Sequence, residues 1–318
     1  MNILVTGGSG FIGSHFIEEI LKRNDVTKVY NLDANTYAAN KNLPFGSDNR
    51  YQKLTMDICA AYFPSQKNYL ESLNLDYVIH FAAESHVDNS ITGPKKFIDT
   101  NIVGTFNLLE IFKGTNIKKF VHVSTDEVFG SLNYKEREFN IDSPYRPNSP
   151  YAASKAASDL LVRSYIKTYN FPAIITNCSN NFGPRQFPEK LIPVCINKLK
   201  NKEKIPLYGN GLNIRDWIYV KDHVNALINV LLDGNVGKQY LIGGNNEISN
   251  IQLIHLIVAT YETITNQKID WEWFEYVTDR KGHDFRYAID TKDFLIEFPN
   301  FKLSEFNQSL KETVESYL

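Results

Sequence analysis

Short apolar runs alternate with amphipathic stretches over the first half of the chain. The runs NILVTG, KVYNLD, DYVIHFA, KKFVHVS and PAIITNCSN are rich in β-branched and aromatic residues and have the length of strands. Between them, SHFIEEILKR, TNIVGTFNLLEIFKG and SPYAASKAASDLLVRSYIKTYN read as amphipathic helices. Strands that alternate with helices of this length pair in parallel through right-handed crossovers. The pattern therefore predicts an α/β fold with a doubly wound parallel sheet and helices on both faces.

The alternation loosens after residue 178. NNFGPRQFPEKLIP reads as a Pro-rich loop, IPLYGNGLNIRDWIYV as a hairpin around Gly209–Gly211, and IQLIHLIVATYETI as a helix. We therefore predict a sheet domain over residues 1–177, to which the chain returns near 216–245. Residues 178–318 would form mainly a smaller lobe, with a ligand bound in the crevice between the two.

Composition and charge exclude several classes of protein. A formal net charge of -2 provides no basic field for nucleic acid or for a membrane surface. The three cysteines, at 59, 178 and 195, are widely spaced, which fits a reducing compartment and argues against a disulfide framework or a metal site. The start MNILVTGG lacks the apolar region of a signal peptide, and no apolar run approaches the ~18 residues of a membrane span. We expect a cytoplasmic, soluble protein.

The stretch ILVTGGSGFIGSH has the spacing of a dinucleotide-binding turn, with glycines that include Gly7, Gly10 and Gly13 between a predicted strand and a predicted helix. The helix N-terminus would face a pyrophosphate. Asp33 ends the next strand twenty residues after Gly13, where an acid binds a ribose hydroxyl and disfavours the 2′-phosphate of NADP. The turn predicts a Rossmann-type NAD site; the alternative is a glycine turn that only connects two elements. Asp57 could accept from an adenine amino group, or could only cap a helix.

Two further motifs carry candidate chemistry. YAASK places Tyr151 and Lys155 on one helix face, where an ammonium would favour the phenolate and allow Tyr151 to act as a base. FVHVSTDEVFG ends a predicted strand with Thr125 followed by the acids Asp126 and Glu127. On the residues alone, an Asp that caps a turn beside a solvated Glu explains the pair equally well.

Together these motifs resemble the extended short-chain dehydrogenase/reductase family, and within it the NAD-dependent sugar-nucleotide 4,6-dehydratases. The similarity extends over nearly the whole chain, and STDEV, FPEKLIP and GHDFRYAID are its most specific stretches. The resemblance implies oxidation at sugar C4, elimination of water across C5–C6 and return of hydride to C6. In this scheme Tyr151 removes the C4 hydroxyl proton beside Lys155, Thr125 binds the C4 oxygen, Glu127 removes the C5 proton and Asp126 protonates the departing C6 hydroxyl.

The resemblance also implies a tightly bound, internally recycled NAD, a nucleotide-diphosphate-glucose substrate and a homodimer formed through the two long helices. The cofactor-binding residues would be Gly7, Gly10, Phe11, Ile12, Gly13, Asp33, Asn35, Thr36, Asp57, Ile58, Phe81, Ala82, Ala83, Ser85, Thr100, Tyr151, Lys155 and Asn181. The substrate-binding residues would be Ser85, Thr125, Asp126, Glu127, Asn180, Glu189, Lys190, Leu191, Pro206, Tyr208, Arg215, Asn250, Arg280 and His283.

Several alternatives stay open at this level. The substrate is expected to be dTDP-glucose, with UDP-glucose as the second candidate, because thymine and uracil differ by one methyl group. An NAD-dependent sugar-nucleotide 4-epimerase or decarboxylase shares the scaffold, and a non-catalytic NAD-binding protein is a third class. Departures from the family pattern are a short segment after Gly130, Lys281 in place of proline, and Arg185, which we expect near the substrate loop. An isolated Arg215 would ordinarily be a surface ion pair.

Overall fold

The main sheet consists of seven parallel strands in the computed structural model, which describes residues 1–60, 64–280 and 282–318. The strands in chain order are β1 (Asn2–Thr6), β2 (Lys28–Asp33), β3 (Tyr51–Thr55), β4 (Tyr77–His80), β5 (Lys119–Thr125), β6 (Ala173–Cys178), β7 (Asn180–Phe182), β8 (Ile205–Tyr208), β9 (Ile214–Tyr219), β10 (Gln239–Ile242), β11 (Glu247–Ser249) and β12 (Phe274–Val277). The seven strands follow the order β10-β6-β5-β4-β1-β2-β3. The predicted α/β parallel sheet is confirmed, and Lys281 lies outside the described residues.

Helices cover both faces of the sheet. They are α1 (Phe11–Ile20), α2 (Pro64–Ser72), α3 (Val87–Thr92), α4 (Pro94–Phe97), α5 (Thr105–Phe112), α6 (Pro150–Tyr169), α7 (Leu191–Lys200), α8 (Val220–Asp233), α9 (Asn250–Thr265), α10 (Lys292–Glu297) and α11 (Phe306–Tyr317). A π-helical segment, Ile98–Gly104, joins α4 to α5, and a 3₁₀ turn, Asp126–Phe129, follows β5. The stretch predicted as one helix from residue 100 therefore begins in the wider π form.

Burial on both faces explains why the strands read as nearly continuous apolar runs. Ile3 and Val5 of β1 pack in the core beneath α1 and α8, whereas Leu4 packs in the opposite core with α5 and α6. The strand order reverses between β1 and β4, so that β2 and β3 lie to one side and β5 and β6 to the other. In sheets of this kind a ligand binds at the carboxyl ends of the strands next to that reversal.

The predicted hairpin around Gly209–Gly211 is wrong. β8 pairs in parallel with β12, whereas β9 pairs with β7 and β11, so the turn separates two small sheets. Apolar alternation identifies each strand but carries no information about its partner. The division of the chain at residue 177 stays a prediction; β10 and α8, which come later in the chain, belong to the main sheet and its cover.

The last helix supports a loop far from it in the sequence. Leu310 and Val314 of α11 are fully buried in the core shared with α7 and α9. The hydroxyl of Tyr317 donates to the backbone oxygen of Gln186 at 2.6 Å, just before the segment that carries Glu189 and Lys190.

No helix in the described part of the chain is both long and apolar enough to cross a membrane.

Candidate active site

A cavity of about 370 Å³ opens at the carboxyl ends of the central strands. It lies at the reversal of strand order, where a doubly wound sheet binds its ligand. Predicted site residues that line the cavity are Gly7, Gly10, Phe11, Ile12, Gly13, Asp33, Thr36, Asp57, Ile58, Phe81, Ala82, Ala83, Ser85, Thr100, Thr125, Glu127, Tyr151, Lys155, Asn180, Asn181, Glu189 and Lys190. The structure thus brings most of the predicted cofactor set and the centre of the predicted catalytic set to one cavity.

The turn after β1 has the shape that a pyrophosphate requires. Gly7 has φ +71°, and a Cβ there would lie 2.7 Å from the backbone nitrogen of Ala82. A Cβ on Gly13 would lie 2.4 Å from the backbone oxygen of Gly7, so only glycine lets α1 pack this close to the turn. Gly10 precedes α1 without a side-chain cap, which leaves the first N–H groups of the helix free to bind an anion. The residues present fit the diphosphate of a dinucleotide.

The acid at the end of β2 is held by this same turn. Asp33 accepts from the backbone N–H groups of Ser9, at 2.9 Å, and Asn35, at 2.7 Å. It is nearly buried yet lines the cavity, where a ribose hydroxyl would meet it. Asn35 has φ 53° and shapes the turn without lining the cavity.

The next strand end supplies the wall for a base. Asp57 lines the cavity and accepts from the backbone N–H of Cys59 at 2.8 Å, so it also stabilises its own turn. Ile58 packs closely against the π-helical segment: a Cβ on Gly104 would lie 2.5 Å from the Ile58 side chain, so glycine is needed there. The carboxylate and the apolar side chain suit the amino group and ring of an adenine.

The two neighbouring acids occupy a buried turn at the end of β5. Thr125, not Asp126, caps this turn: its Oγ1 accepts from the backbone N–H of Glu127 at 3.3 Å. Asp126 is 1% exposed, and its Oδ2 has no hydrogen-bond partner among the described residues. Burial raises the pKa of Asp126 well above its usual value, and the nearby carboxyl groups of Glu127 and Asp216 raise it further. The alternative in which Asp126 caps the turn is wrong.

Glu127 experiences a different field from its neighbour. Burial raises its pKa, but the positive charges of Arg280, Arg215 and Lys190 act in the opposite direction. Glu127 is therefore easier to ionise than Asp126, and the alternative of a fully solvated Glu127 is wrong. Two adjacent carboxyls whose environments separate their pKa values can serve as a base and an acid.

The Tyr-x-x-x-Lys motif lies on α6, which begins cleanly at Pro150. Ser149 caps the helix by accepting from the backbone N–H of Ala152 at 3.1 Å. Burial raises the pKa of Tyr151 well above its usual value, and the charge of Glu127 adds to the effect. In the protein without cofactor, burial thus opposes the phenolate that a neighbouring ammonium at Lys155 is expected to favour. Lys155 is buried and donates to the backbone oxygen of Val123 at 2.8 Å.

Three predicted substrate-binding residues with a positive charge, Arg215, Lys190 and Arg280, come from different segments and all act on the carboxyl of Glu127. Arg215 is 5% exposed, donates to the backbone oxygen of Asp284 at 2.8 Å and stacks 4.3 Å from the ring centre of Tyr287. A surface ion pair at this position is therefore wrong. Lys190 reaches across the cavity to the backbone oxygen of Ser85 at 3.0 Å.

Predicted residues that do not line the cavity are Asn35, Asp126, Leu191, Pro206, Tyr208, Arg215, Asn250, Arg280 and His283.

Two loops contribute residues whose positions the motifs did not predict. Tyr37, after β2, stacks edge-on against Phe187 at 5.3 Å and donates to Glu189 at 3.3 Å. Arg185 lies at the base of the loop that carries Glu189 and Lys190 and contacts Glu18 of α1 at 2.5 Å, so it anchors this loop to the dinucleotide half. These contacts join residues 150 to 167 positions apart in the sequence, and no local pattern indicates them.

Asn101, which the motifs did not predict, hydrogen-bonds two segments of the cavity wall. Asn101, in the π-helical segment, accepts from the N–H of Glu84 at 2.9 Å and donates to Ser154 at 2.8 Å. A π-helical insertion is often found at a functional site, but nothing in TNIVGT distinguishes it from an ordinary helix.

The comparisons agree with this geometry, which is that of a dinucleotide-dependent α/β enzyme with an added acid pair. The family model described as GDP-mannose 4,6 dehydratase matches residues 4–296. The dTDP-glucose 4,6-dehydratase of Neisseria meningitidis serogroup B is 44% identical, over 99% of this chain and 93% of that protein. The crystal structure of the dTDP-glucose 4,6-dehydratase DesIV from Streptomyces venezuelae, with NAD bound, superimposes with a TM-score of 0.92 at 41% identity and covers 100% of this chain and 97% of that one.

Sugar-nucleotide epimerases share the fold at a greater distance. UDP-glucuronic acid 4-epimerase from Bacillus cereus has a TM-score of 0.88 at 25% identity, over 100% of this chain and 99% of that one. The chain belongs to the nucleotide-sugar 4,6-dehydratase family of extended short-chain dehydrogenases/reductases.

Proposed function

We propose that the protein is an NAD-dependent lyase that converts dTDP-glucose to the 4-keto-6-deoxy sugar nucleotide. The observation that carries the proposal is the buried pair Asp126 and Glu127, whose environments separate their pKa values, beside Tyr151 and the dinucleotide turn. Simple hydride chemistry at C4 needs no such pair. Elimination of water needs one group that takes a proton and another that gives one.

The cofactor would be held by residues already described. The turn Gly7–Gly13 would bind the diphosphate, Asp33 a ribose and Asp57 with Ile58 the adenine, and Lys155 lies where a second ribose would be bound. When bound, NAD supplies a hydride acceptor for C4 and later a hydride donor for C6, together with a positive charge on its oxidised ring that favours loss of the Tyr151 proton.

Each protein group then has one task. Tyr151, as the phenolate that the charge of a bound NAD would favour, takes the C4 hydroxyl proton, and Thr125 hydrogen-bonds the C4 oxygen. The C4 ketone acidifies C5, and Glu127, the more readily ionised acid, removes the C5 proton. Asp126, whose pKa burial raises well above its usual value, protonates the C6 hydroxyl so that it leaves as water. Asp126 is shielded from water because it lies in the interior beneath the cavity, whereas the partly buried Glu127 lines the cavity and can meet the substrate.

The substrate assignment rests on the full-length relatives named dTDP-glucose 4,6-dehydratase. Arg215, Arg280 and Lys190 supply the positive charge that a nucleoside diphosphate needs. Pro206 and Tyr208 of β8 are the proposed base contacts. UDP-glucose is the second candidate substrate, because its base lacks only the methyl group.

We further propose a homodimer through α6 and the π-helical segment before α5. Leu160 and Tyr169 of α6 are 56% and 52% exposed, and Ile98 and Val103 are 44% and 41% exposed. Large apolar residues exposed together on adjacent helices are typical of an interface. The free thiols of Cys59, Cys178 and Cys195 support a reducing, cytoplasmic location.

The test is to incubate the purified protein separately with dTDP-glucose and UDP-glucose and to follow the product by mass. The proposal expects loss of the mass of one water without added NADH, and faster turnover of dTDP-glucose. An unchanged mass with altered stereochemistry at C4 would make the protein an epimerase. No reaction with either sugar nucleotide, even with added NAD, would leave a non-catalytic NAD-binding protein.

A further inference from the structure

A second buried polar cluster lies behind the cavity, centred on Asp159 of α6. Asp159 is 1% exposed and stands one helical turn after Lys155. Its Oδ1 accepts from His122 Nε2 at 3.1 Å, and its Oδ2 accepts from the Tyr145 hydroxyl and from Asn177 Nδ2, both at 3.0 Å. None of these four side chains lines the cavity, and the proposed chemistry does not use them. A carboxylate this deeply buried is costly unless it has a charged partner.

Lys155, also buried, lies four residues before this carboxylate and therefore on the same face of α6. Burial lowers the pKa of Lys155, whereas Asp159 and Cys178 act to raise it. Burial also raises the pKa of the Cys178 thiol to about 12, so that Cys178 is neutral at working pH. Asp159 is therefore the one of these two groups that carries a negative charge toward Lys155.

The other titratable groups around Lys155 add no compensating charge. His122 on β5 and His80 on β4 are completely buried, and burial lowers the pKa of both, so that they are neutral. Tyr151, on the same helix, is held protonated by burial. Among the described residues that face Lys155 from α6, β4, β5 and β6, Asp159 alone offsets the buried ammonium.

The same cluster reaches the end of β5. Asn177 Nδ2, which donates to Asp159, also donates to the backbone oxygen of Thr125 at 3.0 Å. Asn177 Oδ1 accepts from Gln239 Nε2 at 2.7 Å, so the amide is fixed from both sides. The position of the strand end that carries Thr125 is thus coupled to the carboxylate that faces Lys155.

We propose that Asp159 is a positioning residue for the dehydration: it is the buried counter-ion of Lys155 and, through Asn177, it fixes the strand end that carries Thr125, Asp126 and Glu127. The inference rests on the proposed function for its catalytic consequence but not for the coupling between Asp159 and Lys155. That coupling is measurable in the protein without substrate.

The primary experiment compares the wild type with Asp159→Asn. The surroundings can accept an amide, because the Asn177 donor can pair with its oxygen. His122 can move its proton to Nδ1, which has no partner among the described residues, and accept at Nε2. Lysine is labelled with ¹³C at Cε, and the Lys155 signal is assigned by its loss in Lys155→Arg. In D159N the midpoint of the Lys155 titration should fall by about one unit, as loss of a close opposite charge requires. An unchanged midpoint overturns the proposal.

Asp222→Asn is the matched control for the loss of a buried acid. Asp222 is 5% exposed on α8 and accepts from the N–H and hydroxyl of Ser304 at 2.8 and 2.7 Å. It should leave the Lys155 midpoint unchanged. If sugar-nucleotide turnover is present, D159N should lower kcat with little change in KM, and Asp159→Glu should restore part of it. A change in KM alone, with kcat unchanged, contradicts the positioning role.

Lys155→Met provides a second route should D159N fail to fold. It leaves the buried carboxylate without its cation, so the free energy of unfolding should fall more in Lys155→Met than in Lys155→Met combined with Asp159→Asn, which also removes the carboxylate charge. An equal fall in the two variants overturns the coupling. Both the NMR and the stability results stand even if no sugar nucleotide reacts, so failure of the proposed function is recognised separately.

Discussion

Replacement of Asp126 by Asn separates the elimination from the steps before it. The amide has nearly the volume of the protonated carboxyl but cannot deliver a proton to the leaving hydroxyl. Asp126 Oδ1 accepts from the Thr125 hydroxyl at 3.3 Å, whereas Oδ2, the oxygen left for the leaving hydroxyl, has no partner among the described residues. Loss of a positioned general acid typically slows a reaction by about 10²–10⁴-fold, which is about 3–5 kcal/mol of barrier. We expect the upper part of this range, because bulk water is excluded.

The assay uses D2O and dTDP-glucose, with product analysis by mass and NMR. D126N should still exchange the C5 hydrogen for deuterium, because Tyr151 and Glu127 are intact, but it should retain the C6 hydroxyl. Glu127→Gln is the paired variant and should lose the C5 exchange as well. If D126N eliminates water at a rate comparable with the wild type, or if it fails to exchange C5, the division of roles between the two acids is refuted.

The remaining predictions concern pH, the dinucleotide turn and the core. Dehydration should follow a bell-shaped pH profile, since Glu127 must be ionised and Asp126 protonated; a flat profile across both limbs would contradict the pair. Because the pKa of Glu127 is raised in the folded state, its contribution to stability is fully present below the unfolded pKa and is lost as pH rises through the folded pKa. E127Q does not suffer this loss, so in denaturant titrations its free energy of unfolding should rise relative to that of the wild type as pH rises. Gly7→Ala should cost about 1–3 kcal/mol of stability and abolish NAD binding by calorimetry, because a left-handed φ and the Ala82 backbone both oppose a Cβ; retained binding would refute the pyrophosphate assignment. Phe16→Ala, in the core, should cost about 3–5 kcal/mol, whereas Ile296→Ala, 77% exposed, should change stability by less than about 0.5 kcal/mol; equal losses would contradict the core assignment.

Local patterns predicted those parts of the fold that depend on short-range rules. Ser149 followed by Pro150 marks the start of α6, and the structure begins the helix there. The alternation from Lys119 to Thr125 marks β5, which the structure buries almost throughout. In both cases the residues that determine the element lie within it.

What could not be predicted depends on contacts between distant segments. The sequence marks β8 and β9 as strands, but it does not show which strands they pair with. β8 pairs with β12 and β9 with β7 and β11, all distant in the sequence, so the predicted hairpin does not form. The direction of the Tyr151 pKa was missed because the spacing to Lys155 is visible in the sequence, whereas burial and the approach of Glu127 are not. Asp159 looks like one polar residue on an amphipathic helix, and only its burial distinguishes it.

The contact between Tyr317 and Gln186 has a consequence for how the protein matures during synthesis. The seven strands of the sheet that carries the dinucleotide turn all come before residue 243, and Phe294 of α10 completes the core on one of its faces. The loop with Glu189 and Lys190 receives support from α11 only after residue 317 has left the ribosome exit tunnel. During synthesis the strands that carry the dinucleotide turn therefore precede the helix that supports the loop with Glu189 and Lys190, so that loop is the later of the two to gain its full support.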